Sequence, residues 1–161
     1  MSTRTHETEI VADPNLPTIR ITREFEAPPD KVFRAFTDRE LFVRWIGPRS
    51  IDTRIERWDA TTGGNYRYAA ERDGEQIATF YGSFHEVRAP ERIVQTFTFE
   101  GEPDGVSLET MRLVDLGDGR TRVETVSIVD TLESRDAIMA SGMDVGVNEG
   151  YEKLDELLAS L

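Results

Sequence analysis

The chain contains no cysteine. That excludes a disulfide framework, a thiolate metal site and a cysteine nucleophile. Histidine is nearly absent as well. His6 lies near the start and His85 well inside, a pair too sparse to suggest a transition-metal centre. No apolar run approaches the roughly 20 residues that a membrane helix needs. The opening MSTRTHETEIVADPNLP has no apolar stretch of the signal-peptide kind, and together these absences point to the cytoplasm. Positive charge is scarce: 19 Lys and Arg stand against 31 Asp and Glu, a net charge of −12. A field of that sign repels phosphate backbones and anionic membranes, and no basic cluster offsets it. Neither nucleic acid nor a membrane is therefore an expected partner. There is no glycine-rich phosphate loop and no nucleophile elbow; Thr62-Gly63-Gly64 reads as a strand connection. Nothing in the chain calls for a cofactor or a metal.

What is present suits one domain around one core: 161 residues, 38% hydrophobic and 31% charged. Residues 1–17 are polar and end in Asp13-Pro14-Asn15-Leu16-Pro17, which reads as a tail or loosely docked arm before a single domain over 18–161. Ile19, Ile21 and Phe25 alternate across Thr18 to Glu26, a strand pattern. Ala27-Pro28-Pro29-Asp30 breaks that strand, and proline early in a helix is tolerated because its missing N–H would be unpaired there. Val32, Phe33 and Phe36 follow at helical spacing. Thr37 or Asp38 can cap a second short helix carrying Leu41, Phe42 and Trp45, which Gly47-Pro48 ends.

Strand-like segments then succeed one another: Ile51 to Asp59, Gly64 to Arg72, Gln76 to Val87, Arg92 to Glu100, Val106 to Leu116 and Arg120 to Val129. Asp73-Gly74 and Gly117-Asp118-Gly119 supply tight turns, since aspartate and glycine accept positive φ. Sequential strands with such turns predict an antiparallel meander. From Ser134 to Leu161 the period becomes helical, with a break expected near Ser141-Gly142 and Asp130-Thr131 leading in. The result is an α+β domain in which the long C-terminal helix covers one face of the sheet.

The order of motifs resembles one family. Phe25-Glu26-Ala27-Pro28-Pro29-Asp30-Lys31-Val32-Phe33 is similar to the opening of the family named for the activator of the Hsp90 ATPase homologue, within the START-like (SRPBCC) superfamily. Thr37-Asp38-Arg39-Glu40-Leu41 and Arg44-Trp45-Ile46-Gly47-Pro48 resemble its next motif, in which a second tryptophan usually stands where Ile46 does. Gly63-Gly64-Asn65-Tyr66-Arg67-Tyr68, Gly82-Ser83-Phe84-His85-Glu86-Val87, Pro90-Glu91-Arg92-Ile93-Val94 and Gly142-Met143-Asp144-Val145-Gly146 continue in register. The resemblance implies the helix-grip fold: a curved antiparallel sheet wrapped around the C-terminal helix, with two short helices after the first strand and an internal cavity. Relatives in the superfamily bind lipids, steroids or polyketides, and some are described as cyclases. Co-chaperones of the family carry an additional domain, for which this chain is expected to be too short.

Strand alternation proposes the cavity wall, because every second residue faces one side. Tyr66 and Tyr68, Phe80 and Phe84, Phe97 and Phe99 form apolar sets in successive strands, and Met111 joins them, although alternation around Met111 and Leu113 is ambiguous. Such a stripe is either a filled core or the lining of a pocket. From the helix, Met143, Gly146, Val147 and Tyr151 would face it, and methionine suits a pocket that adapts to varied apolar ligands. Gly142, Gly146 and Gly150 lie on one helical stripe, each costing about 1 kcal/mol against alanine. They signal either tight packing of helix on sheet or room left for a ligand, and the second reading is expected at Gly146. Trp45, set just before Gly47-Pro48, is expected to act as a lid at the cavity mouth.

Glu109, Glu124, Arg54, Arg67 and Arg112 fall within strands, and most strand charges face water. An inward carboxylate would matter only if burial raised its pKa. His85 lies on the more polar side of its strand and reads as a surface residue. No catalytic constellation emerges. The leading expectation is a binder of a hydrophobic or aromatic small molecule; the alternatives are a cyclase- or hydrolase-type enzyme on a polyketide-like or aromatic substrate, and a chaperone-interacting module. A homodimer is also expected, since an open sheet leaves edge backbone groups to be covered.

Overall fold

Prolines, aspartates and glycines divide the chain into its elements. The computed structural model describes residues 6–161, so the first five residues of the expected arm lie outside the described residues. Within that arm Glu9–Ala12 forms a short strand (β1), and Thr18–Phe25 forms the next (β2). Pro28 and Pro29 end β2 and open helix α1 (Pro29–Thr37), which buries Val32, Phe33, Ala35 and Phe36. Asp38 begins α2 (Arg39–Trp45) by accepting hydrogen bonds from the backbone N–H groups of Glu40 and Leu41, which would otherwise be unpaired.

Six strands follow: β3 (Asp52–Trp58), β4 (Asn65–Arg72), β5 (Glu75–Arg88), β6 (Arg92–Phe99), β7 (Ser107–Gly117) and β8 (Arg120–Ile128). Asp73 and Gly74 turn β4 into β5 with φ of 53° and 82°, as a tight two-residue hairpin requires. Among the described residues the strands make one antiparallel sheet in the order β1-β2-β8-β7-β6-β5-β4-β3. A bulge between Ile55 and Arg57 reverses the alternation in β3 and brings Trp58 onto the inner face, paired with Tyr66.

The final helical stretch is two helices, α3 (Leu132–Ala140) and α4 (Met143–Ser160). They part at Ser141-Gly142, where Gly142 takes φ 86°. The Thr131 hydroxyl caps α3 by accepting from the Ser134 N–H at 3.0 Å. The core lies under the C-terminal half of α4, where Tyr151, Leu154, Leu157 and Leu158 pack with Phe25, Val32 and Phe36. Arg23, 2% exposed, reaches up from β2 and holds Asp155 of α4 through two hydrogen bonds of 2.8 and 2.6 Å. This is the helix-grip arrangement, α+β, with the sheet curved around the C-terminal helix. Among the described residues no helix is long and apolar enough to cross a membrane.

Candidate functional site

The register determines which side chains share the inner face. Ile19 of β2, Ser127 of β8, Glu109 of β7, Gln95 of β6 and Phe84 of β5 lie opposite one another in sequence across the sheet. Glu109 is therefore an inward residue, in phase with buried Met111 and Leu113. It does not face water on the outside, the ordinary expectation for a strand charge. Gln95 Nε2 donates to its Oε1 at 3.2 Å, and Ser127 Oγ donates to its Oε2 at 3.2 Å. Burial pushes the Glu109 carboxyl above the usual carboxylate range, and the hydrogen bonds from Ser127 and Gln95 only partly offset this. The residue as a whole is nevertheless only half-buried.

Three buried tyrosines feel the charge of this carboxylate. Burial, followed by the charge of Glu109, holds the Tyr66 and Tyr68 phenols above their ordinary range. Tyr151, reaching in from α4, is pushed up to about 12 by burial, with Glu109 adding to the shift and the Thr125 hydroxyl and Arg23 opposing it. Tyr66 Oη donates to the Thr96 carbonyl at 2.6 Å, crossing directly over Gly82. A Cβ at Gly82 would overlap that carbonyl and stand 2.7 Å from the phenol oxygen, so this strand position requires glycine.

The residues expected to form a site divide into groups. Tyr66, Tyr68, Phe80, Phe84, Phe97 and Met111 share the inner face, linked ring to ring from the Tyr66–Phe84 pair at 5.2 Å to the Phe80–Phe97 stack at 5.2 Å. Met143, Val147 and Tyr151 pack against the same core from α4. Phe99 lies at the rim, 41% exposed, its ring over Gly101. Trp45 is not at a mouth. It is 3% exposed in the core, donates from Nε1 to the Ala35 carbonyl at 2.9 Å, and packs between Phe36, Phe42 and Tyr151. Gly146 looks toward Pro48, where a Cβ would meet Cδ at 3.6 Å, and Gly150 abuts the Trp45 carbonyl and Gly47. What approaches the glycine stripe is thus the connection after α2, not the sheet.

Glu109, Gln95, Ser127 and Thr125 were outside the residues proposed from sequence. The available signal was parity: Glu109 is two residues from Met111 and four from Leu113. Glu124 and Arg67 lie outside, Glu124 paired to Arg122 and Arg67 paired to Glu56 and Glu100, whereas Arg23 of β2 points inward to Asp155. His85 is exposed. Among the described residues no group of three histidines or carboxylates is placed to hold a metal ion. Two polar depressions lie elsewhere, one of about 300 Å³ between His6, Arg23 and Asn148, the other of about 390 Å³ on the outer face around Arg20, Thr110 and Glu124.

With that geometry in place, comparison with known proteins is informative. The family model described as "Activator of Hsp90 ATPase homolog 1-like protein" matches residues 26–159. A protein from Rhodobacter sphaeroides has a similar structure, at TM-score 0.86 and 25% identity over 96% of this chain and 100% of its own. One from Arthrobacter aurescens gives 0.85 and 26% over 95% and 92%. An HSP90 activator from Plasmodium falciparum shares the fold at TM-score 0.62 and 19% identity, over 88% of this chain and 96% of its own. No curated protein matches this sequence. The family match spans both short helices, the whole β3–β8 meander and nearly all of α4, and the chain accordingly belongs to the activator of Hsp90 ATPase homolog 1-like family.

Proposed function

We propose that this protein binds a small, largely apolar molecule in a hollow between the inner face of the sheet and the N-terminal half of α4. The observation that carries this reading is Glu109, an inward-facing residue desolvated by its surroundings yet only half-buried. A carboxylate in a filled core would be covered. The apolar residues at the edge of the core support the same reading: Phe80 and Phe97 on the inner face of the sheet and Met139, Met143 and Val147 on the helices pack against the core and are all only half-buried. Aromatic walls with a few convergent polar groups are what a small-molecule site requires. An enzymatic reading would use the same Glu109 as an acid–base group. The likeness to an HSP90 activator is one of fold, so chaperone interaction is the lesser reading. Pairing of two copies through the β3 edge belongs to this proposal too, and sedimentation at tens of micromolar reads it.

Fluorescence titration with the neutral probe N-phenyl-1-naphthylamine tests the site. The wild-type protein is expected to bind it and enhance its emission. Val147→Trp is expected to fill the hollow and abolish the signal while the circular dichroism spectrum is retained. Equal binding by a folded Val147→Trp protein would move the site elsewhere, and no binding by the wild type would remove the reading.

A further inference from the structure

Glu109 lacks a cationic partner. Its two oxygens accept from Gln95 and Ser127, both neutral, and among the described residues no Arg, Lys or His lies within ion-pair distance of it. The elements around it supply no such group. From β2, Arg23 is committed to Asp155 of α4 and to the Glu24 carbonyl. From α3, Arg135 turns away to the Leu16 and Thr18 carbonyls. From β4 and α4 the titratable groups facing it are the phenols of Tyr66, Tyr68 and Tyr151. From β6 and β8 they are amide and hydroxyl groups. A carboxylate accepting through both oxygens, on an inner face that also carries the rings of Tyr66, Tyr68, Phe84 and Phe97, has the complementary chemistry for an ammonium group, which aromatic faces also attract. The net charge of −12 draws cations toward the molecule and repels anions.

We propose that the ligand of this hollow is an organic amine: a protonated ammonium group on an apolar, aromatic-sized body, its nitrogen paired with Glu109 and its body against Tyr66, Tyr68 and Phe97. The proposal rests on the binding reading above and names the class of ligand. Burial of Glu109 supports it from another side, because a carboxyl held above its ordinary range is one that a bound cation would return to the charged form.

The test uses three molecules with one body and one difference: 1-naphthylmethylamine, 1-naphthylmethanol and 1-naphthoic acid, titrated at neutral pH by displacement of N-phenyl-1-naphthylamine. The amine is expected to bind at least about tenfold more tightly than the alcohol, and the acid most weakly. Glu109→Gln is expected to erase the preference for the amine, so that amine and alcohol bind this variant within about twofold of each other. Should Glu109→Gln fail to fold, the wild-type pH series decides: amine affinity is expected to fall on acidification through the Glu109 titration, while alcohol affinity stays level. Equal or tighter binding of the alcohol, or an amine preference that survives in Glu109→Gln, overturns the amine assignment and leaves the binding reading standing. Failure of all three molecules and of the probe removes the binding reading and the amine with it.

Discussion

Alanine substitutions at Gly146 and Gly150 should shift stability in opposite directions. Both glycines lie inside α4, one turn apart, and either replacement removes the same backbone-entropy penalty, about 1 kcal/mol. Their surroundings differ. At Gly146 the new methyl would meet only Pro48 Cδ, at 3.6 Å, an ordinary contact. At Gly150 it would stand 3.2 Å from the Trp45 carbonyl oxygen and 3.5 Å from the Gly47 N and O atoms. That connection has little freedom to retreat. Trp45 is anchored by its indole N–H to Ala35, and Lys153 reaches the Ile46 and Pro48 carbonyls at 3.4 and 3.5 Å. Overpacking of this kind typically costs about 1–3 kcal/mol. Gly146→Ala should therefore melt about 2–4 °C above wild type, given roughly that shift per kcal/mol in a domain of this size. Gly150→Ala should melt at or below wild type. Because the propensity gain is common to both, the gap between the variants isolates the contact. Thermal melts followed by circular dichroism measure it, and a Gly150→Ala protein melting at or above Gly146→Ala would refute the reasoning. Gly146 faces Pro48 and not the proposed ligand site, so Gly146→Ala should bind N-phenyl-1-naphthylamine as the wild type does.

Gly82→Ala should cost about 3 kcal/mol or more, at the upper end of overpacking, because the clash is with the Thr96 backbone and the Tyr66 phenol would lose its acceptor; chemical denaturation reads it, and a loss under 1 kcal/mol (roughly one typical hydrogen bond) would contradict the contact. Asp155→Ala should lose about 3–5 kcal/mol by leaving Arg23 buried without its counter-charge; a double-mutant cycle with Arg23→Met checks that the cost belongs to the pair, and additive losses would deny it. Asp38→Ala should cost about 0.5–2 kcal/mol as a lost helix cap, and Asp38→Ser should recover most of it in the same denaturation assay. Stability should also fall as pH rises from the ordinary carboxylate range through the raised value of Glu109, because over that window the folded state holds a proton that the unfolded state has released. Glu109→Gln should flatten that decline, and identical pH–stability curves for the two proteins would exclude Glu109 as its source.

Strands with strict alternation, flanked by Asp-Gly or Gly-Asp-Gly, were readable from the chain to within a residue or two, since side-chain period and turn stereochemistry are local properties. The interruption at Ser141-Gly142 was readable for the same reason: a residue at φ 86° ends a helix wherever it sits. The aromatic inner face was readable too, because Tyr66, Tyr68, Phe80, Phe84 and Phe97 keep one parity within strands whose ends are well marked. The inward place of Trp58 depends on the bulge between Ile55 and Arg57, which alternation alone does not reveal. The polar cluster was not readable as a cluster: parity with Met111 and Leu113 points Glu109 inward, but Gln95 and Ser127 belong to other strands, and nothing local brings the three together.

Composition, period and turn residues by themselves determined the number and order of the strands after α2, their antiparallel sense and the covering helix, because each follows from bonds and faces within a few residues. Tertiary structure alone decided four things. It added Glu9–Ala12 to the edge of β2, where a four-residue strand is held by its partner's backbone. It put Trp45 in the core, by closing α1 and α2 on Tyr151. It turned Gly146 and Gly150 toward the Trp45–Pro48 connection. It brought Glu109 between Gln95 and Ser127, because cross-strand register sets which of two faces a residue occupies, and register is a relation among strands far apart in the chain.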